Sequence, residues 1–201
     1  MFLTGLIFFA CMTNSEKEIF DEFQNSIGRF ENNYQIGDTI SSMSDLLWSI
    51  TDFIDTSYIL RFSLIDTTFN TESYNKIKSL KDYHCSFIGQ YKKDKILLLL
   101  TYSIRIMAGD GNPIITATTF SKDGKVLDIL RIDLESIKDA FYQPTTYITA
   151  NENLDITTIL IVNEYEEKDD KIVLTDSISI INEYSIDNNG KFQQRKSAGN
   201  K

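Results

Sequence analysis

The chain has 201 residues, 42% of them hydrophobic, with two prolines and 29 acidic against 20 basic side chains, for a formal net charge of −9. That length supplies one domain with a real core and falls short of two, and the negative field repels nucleic acid and anionic lipid, leaving a basic protein partner or plain solubility as its use. Two cysteines make no disulfide framework, so the fold must be held by its core.

In chain order, the first element is the apolar run from Phe2 to Ala10, interrupted only by Thr4 and Gly5. At ~1.5 Å per residue it spans less than half of a ~30 Å hydrocarbon core, which excludes a membrane-crossing helix and suits the apolar region of a secretory signal. The sequence Phe8-Phe9-Ala10-Cys11 resembles a lipobox, with Phe8 where leucine is usual, Phe9 where a small residue is usual, and no Lys or Arg before Lys17. This loose form is similar to the lipoprotein signals of the Bacteroidota. The resemblance implies cleavage after Ala10, a diacylglyceryl thioether on Cys11 and acylation of the new amino group. Each buried methylene of such chains adds about 0.8 kcal/mol of anchoring. Residues 1–10 are therefore expected to be a signal peptide and residues 11–18 a polar tether.

Ile19, Phe20, Phe23, Ile27 and Phe30 recur at spacings of three and four, which predicts an amphipathic helix, with Ser15 and Glu18 placed as a capping box. Asn33 to Ile40 reads as a loop or short strand, and Ser44 opens a short second helix through Leu46, Leu47 and Ile50. The pattern then turns to strands. They are expected at 58–64, 83–90, 95–107, 114–121, 126–132, 145–150, 155–164 and 172–186, with a stub at 191–194. The Leu97–Leu100 run predicts a strand buried on both faces. Polar turns are expected at Tyr91-Lys92-Lys93-Asp94, Asp110-Gly111-Asn112-Pro113, Lys122-Asp123-Gly124-Lys125, Glu166 to Lys171 and Asp187-Asn188-Asn189-Gly190. The Asp-Gly pair is the strongest hairpin signal in the chain. Leu134 to Phe141 reads as a short helix stopped before Pro144, and residues 196–201 as a flexible tail.

The expected architecture is α+β: a single domain over residues 19–195, with an N-terminal helix packed on one large, twisted antiparallel β-meander sheet of about seven or eight strands. The Asp123-Gly124-Lys125-Val126 turn, the Tyr184 to Phe192 segment and the helix-first layout together resemble small exported lipoproteins of the Bacteroidota. That resemblance implies export and brings no catalytic or binding residue with it.

Four constellations bear on chemistry. His84 and Cys85 are the one His and the one thiol besides Cys11, but neighbours on a strand point to opposite faces and cannot form an activated Cys–His pair. Asp110-Gly111-Asn112 and Asp187-Asn188-Asn189-Gly190 cluster oxygens as a calcium loop would, yet Asp and Asn in turns usually satisfy their own backbone. Asp133, Glu135, Glu164 and Glu183 supply carboxylates for glycoside hydrolysis without a spacing that selects a pair. Trp48, Tyr58, Phe62, Tyr74, Tyr83 and Tyr102 are candidates for a sugar-stacking platform, although aromatics in strands more often pack in cores. No catalytic, cofactor or metal residue is assigned, and Cys11 is the single site residue, as a lipid attachment point. The expectation is a non-enzymatic binding module of the bacterial cell envelope, held at the membrane through Cys11, with a protein or glycan ligand and no nucleic acid. The alternatives are a toxin-neutralising immunity protein and an envelope glycan hydrolase or accessory protein.

Overall fold

The computed structural model describes residues 16–27, 35, 37–41, 53–62, 64, 83–105, 114–133, 142–169 and 171–200. These residues form mostly antiparallel β-sheet. Helix α1 covers residues 16–27. It is followed by β1 (Thr39–Ser41), α2 (Thr56–Arg61), β2 (Tyr83–Lys93), β3 (Ile96–Arg105), β4 (Ile114–Ser121), β5 (Val126–Asp133), β6 (Tyr142–Ala150), β7 (Ile156–Lys168), β8 (Lys171–Ile186) and β9 (Phe192–Asn200). The strands make two sheets, one of order β2-β3-β4-β5 and one of order β1-β6-β7-β8-β9.

One large sheet is thus corrected to two, and the reason lies in β3. Leu97, Leu98, Leu99 and Leu100 are all buried. Strand parity sends Leu98 and Leu100 to one face, where they join Ile40, Ile148 and Ile156 of the five-stranded sheet. Leu97 and Leu99 go to the other, with Phe20, Phe23, Ile27, Ile59 and Phe62 from the helical segments. A strand apolar on both faces needs a layer on each side, and folding the second half of the meander back over the first supplies one of them.

The two sheets are joined along a seam between β5 and the β8–β9 turn. The Phe192 N–H donates to Asp128 Oδ2 at 2.9 Å, and the Thr119 hydroxyl donates to the Gly190 carbonyl at 2.6 Å. The Lys191 ammonium reaches the Leu127 carbonyl and lies 3.9 Å from Asp128 Oδ1. Gly190 has φ +79°, and an added Cβ would stand 2.4 Å from Leu127 Cδ1. The Asp-Gly turn does a similar job on the helical side: Gly124 has φ +82°, and a Cβ there would meet the Phe20 ring at 2.4 Å. Both turns need glycine for backbone conformation and for room.

Several boundaries differ from the sequence expectation. The first four residues of the stretch expected as a strand over 58–64 belong instead to helix α2. Asp55 caps it, its Oδ1 accepting from the Ser57 amide at 2.8 Å and the Ser57 hydroxyl at 2.5 Å. Tyr58, Ile59 and Phe62 then meet α1 at helical spacing, Phe62 against Phe23 at 4.9 Å between ring centroids. Burial of that face overrides the β propensity of Tyr, Ile and Phe. In β2 an irregularity between Phe87 and Gly89 shifts the register, so Tyr91 turns inward and is buried between the sheets rather than lying in a loop. The β2–β3 turn is Asp94-Lys95, with Asp94 at φ 52°. The β7–β8 turn is likewise shorter than the expected Glu166–Lys171, with strand persisting to Lys168 and resuming at Lys171. β9 runs to Asn200, opposite Ser179, so the expected tail over 196–201 is strand through residue 200. Polar residues conceal such extensions because ladder pairing does not require burial. The expected helices at 44–50 and 134–141 and the Asp110–Pro113 turn lie outside the described residues.

Candidate functional site

The residues singled out in the sequence do not converge. Cys11, with the whole 1–10 segment, lies outside the described residues. Cys85 is fully buried in the cluster beneath the helices, and burial pushes its thiol up to about 12 against a smaller opposing effect of the Thr101 hydroxyl. Such a thiol is inert at neutral pH. His84 turns away from it to lie over the Phe53 ring, 4.0 Å between centroids. The two side chains therefore form no nucleophile pair.

The carboxylates separate as well. Glu183 faces Thr157 across the β7–β8 ladder, while Glu164 faces Asp176. Residues 157 and 164 have opposite parity on β7, which places Glu183 and Glu164 on opposite faces of the sheet. Glu135 and the Asp133 side chain lie outside the described residues. Of the aromatics, Phe62 is in the core beneath the helices and Tyr102 in the core between the sheets, and Tyr58 packs on Phe23 at 5.1 Å. Burial pushes the Tyr102 hydroxyl up to about 12. They share no platform. Trp48, Tyr74 and the Tyr83 side chain lie outside the described residues. At the Asp187 turn, Asp187 Oδ1 accepts from the Asn189 and Lys191 amides at 2.8 and 2.9 Å, so that carboxylate is holding its own turn. Among the described residues no group of three or more His, Cys, Asp or Glu is arranged to hold a metal ion, and no helix is long and apolar enough to cross a membrane.

The feature that stands out is one the sequence reading passed over. β7 and β8 are the longest strands, and their ladder runs from Ile156↔Tyr184 to Lys168↔Lys171. Among the described residues β6 pairs with β7 from Tyr142↔Glu164 onward, and β9 pairs with β8 up to Asn200↔Ser179. Among the described residues, β7 and β8 pair only with each other beyond those positions, as a two-stranded arm with about 13 Å of strand past Glu164. A bulge marks its root: Thr175 is left out of the pairing between Glu164↔Asp176 and Tyr165↔Leu174, and its hydroxyl donates to the Glu164 carbonyl at 3.1 Å.

On this arm Ile172, Val173 and Leu174 are 56%, 44% and 52% exposed. The register puts Ile172 and Leu174 on one face with Glu167 and Tyr165, and Val173 on the other with Glu166. The face carrying Leu174 continues into half-buried Ile161, Ile159 and Ile181 on the outer surface of the five-stranded sheet. Between Glu164 and Asp176 the sequence holds six acidic side chains and two basic ones.

A cluster of lysines lies at the opposite end of the five-stranded sheet, interspersed with carboxylates. Lys93 Nζ donates to Asn153 Oδ1 at 3.0 Å, which places the β2–β3 turn beside the β6–β7 turn, at the far end of β7 from the arm. A groove of about 280 Å³ there is lined by Phe20, Leu97, Lys92, Lys95 and Lys122, together with Asp94. The net negative charge is thus unevenly placed, with acid on the arm and lysine at the other end. No protein-family model matches the chain, and no curated protein or solved structure is significantly similar to it.

Proposed function

We propose that this protein is a non-enzymatic binding module of the bacterial cell envelope, lipid-anchored at Cys11 and engaging a protein partner through the β7–β8 arm. The observation that carries the binding part is the exposure of three consecutive large aliphatic side chains on a projecting two-stranded arm. Apolar side chains grouped in this way cost solubility unless something covers them, and covering each fully is worth about 1.5–3 kcal/mol. The anchor rests on the Phe8-Phe9-Ala10-Cys11 lipobox. In fold class we read the domain as α+β, with α1 and α2 as a layer on the four-stranded sheet. The sharing of one apolar cluster by Phe20, Phe23, Ile27 and Phe62 with Leu97 and Leu99 supports this.

Of the other readings, a toxin-neutralising immunity protein is favoured by one observation, the acidity of the arm, which suits a basic partner. A glycan hydrolase draws no support from Glu164 and Glu183, which face opposite ways.

Two measurements test the proposal. Palmitate labelling and membrane fractionation of the full-length protein should mark the wild type and miss Cys11→Ala; unlabelled wild type found only in the soluble fraction refutes the anchor. A photo-crosslinker at position 172 should trap a partner, and the purified pair should form a stoichiometric complex that the double substitution Ile172→Asp, Leu174→Asp abolishes. A complex unchanged by that substitution refutes the arm as the binding element.

A further inference from the structure

We propose that the groove between α1 and the β2–β3 turn binds a medium-chain alkanoate, its carboxylate held among Lys92, Lys95 and Lys122 and its tail laid on Phe20 and Leu97. This site is independent of the β7–β8 arm, which lies at the other end of β7.

The floor of the groove follows from strand register. Leu97 on β3 stands beside Lys92 on β2 and Phe120 on β4, and Ile96 stands beside Ser121. Phe20 reaches in from α1 and packs against Phe120 at 5.1 Å between ring centroids. Phe20 and Leu97 belong to the core cluster beneath the helices, so the floor is held in place by packing that the fold needs in any case. With Ile96 they line a groove of about 280 Å³. At ~30 Å³ for a group the size of a water or a methylene, that space holds about nine of them. It sits at the low end of ligand pockets, about 300 Å³, and so suits a short chain.

The rim decides the head group. Lys92, Lys95 and Lys122 line the groove with one carboxylate, Asp94. All three lysines are exposed. Among the described residues none of them forms an ion pair, the pairs there being Lys191 with Asp128 and Arg195 with Asp155. The two turns that carry them, 92–95 and 122–125, hold five lysines against Asp94 and Asp123. Glu18, Asp21 and Glu22 of α1 line a separate hollow beside Tyr58. Along β7 the acidic arm begins at Glu164, about 26 Å from Ile156 at the near end, which is about three screening lengths of ~8 Å. The charge facing the groove is therefore positive in a protein of net charge −9. Gln24 and Ser121 also line it and add neutral donors for a second carboxylate oxygen. Ser121 Oγ accepts from the Lys125 N–H at 3.1 Å, which leaves its own proton to donate. A cationic amphiphile would meet three like charges, and a neutral one would leave the ammonium groups unused. An alkanoate matches the floor and the rim together.

The full-length protein is titrated with butanoate, octanoate, dodecanoate and octylammonium at fixed ionic strength, and backbone amide shifts are followed residue by residue. Octanoate should shift Gln24, residues 92–97 and residues 121–122 saturably. It should bind about tenfold or more tighter than butanoate, because each further methylene covered adds to affinity. Dodecanoate should bind within about threefold of octanoate, because the groove is full at about nine groups. The triple substitution Lys92→Glu, Lys95→Glu, Lys122→Glu should abolish octanoate binding and admit octylammonium in its place, a gain that also shows the variant to be folded. Affinity that climbs steadily through dodecanoate, equal binding of octylammonium by the wild type, or octanoate binding unchanged in the triple variant overturns the alkanoate site. So does the absence of saturable shifts at these residues, or shifts centred on Ile172 to Leu174 instead.

Discussion

β3 and β8 each carry a run of large aliphatic residues, and the two runs have opposite fates. Leu97 to Leu100 are closed off by helices on one side and by a second sheet on the other. Among the described residues Ile172 to Leu174 pair with one strand only, and all three side chains are exposed. Local composition is nearly the same in the two places, so the contrast shows that burial is conferred by neighbours, not by the strand itself. It also separates two roles. The first run is built into the core, and the second is left at the surface.

The contrast is most directly broken by paired truncations. Leu99→Ala should lower unfolding free energy by about 2–5 kcal/mol, because it leaves a cavity in a fully buried layer. Leu174→Ala should change it by less than about 0.5 kcal/mol. Urea denaturation of the two variants checks this, and comparable losses would mean that the arm is part of the folded core.

The next effect tests the closure over β3. Gly124→Ala forces a Cβ into the Phe20 ring at a left-handed position, and should cost about 2–3 kcal/mol by the same measurement. Phe20→Ala in the same chain should recover part of the strain, because it removes the clashing ring while adding a cavity of its own. Strictly additive losses would place the cost in the backbone alone.

A smaller loss is expected at the seam. Asp128→Ala leaves the part-buried Phe192 N–H without its acceptor and removes the ion pair with Lys191, costing about 1–2 kcal/mol. The arm amides 165–174 should exchange no faster in this variant, since the seam joins the sheets at the other end of β8. Faster exchange there would show that the arm is coupled to the core.

At neutral pH the last effect vanishes. Cys85, Tyr91 and Tyr102 all have acidities pushed by burial to about 12. Each folded-state value lies above its unfolded one, so their contribution is complete below the unfolded values, about 8.5 for Cys and about 10 for Tyr, and is lost as pH rises from there towards 12. Urea midpoints should hold steady from pH 6 to 8 and fall from about pH 9. Cys85→Ala should delay the onset to about pH 10. The Ile172→Asp, Leu174→Asp variant should follow the wild-type profile over pH 8 to 11, because neither side chain packs on Cys85, Tyr91 or Tyr102.

Much of this was legible in the residues. The spacing of Phe20, Phe23 and Ile27 marks the helix face that is buried, the Leu97–Leu100 run announces a strand covered twice, and Asp123-Gly124 and Asp187 to Gly190 locate their turns. Each depends on contacts within a few residues or on a periodicity that burial imposes directly. Helix α2 was missed because Tyr, Ile and Phe favour strands, and its cap at Asp55-Thr56-Ser57 was the signal that would have corrected it. The arm was missed for a different reason. Ile172-Val173-Leu174 reads as strand, and it is strand, but nothing local tells whether a third strand lies alongside.

What the sequence by itself determined is a set of elements that are mostly strand, the turns that join several of them, and the acid excess. What only the tertiary structure decided is the split into two sheets and the exposure of Ile172, Val173 and Leu174. The physical reason is that pairing and layering are long-range: strand β1 at Thr39 finds its partner at Thr149, more than a hundred residues along the chain.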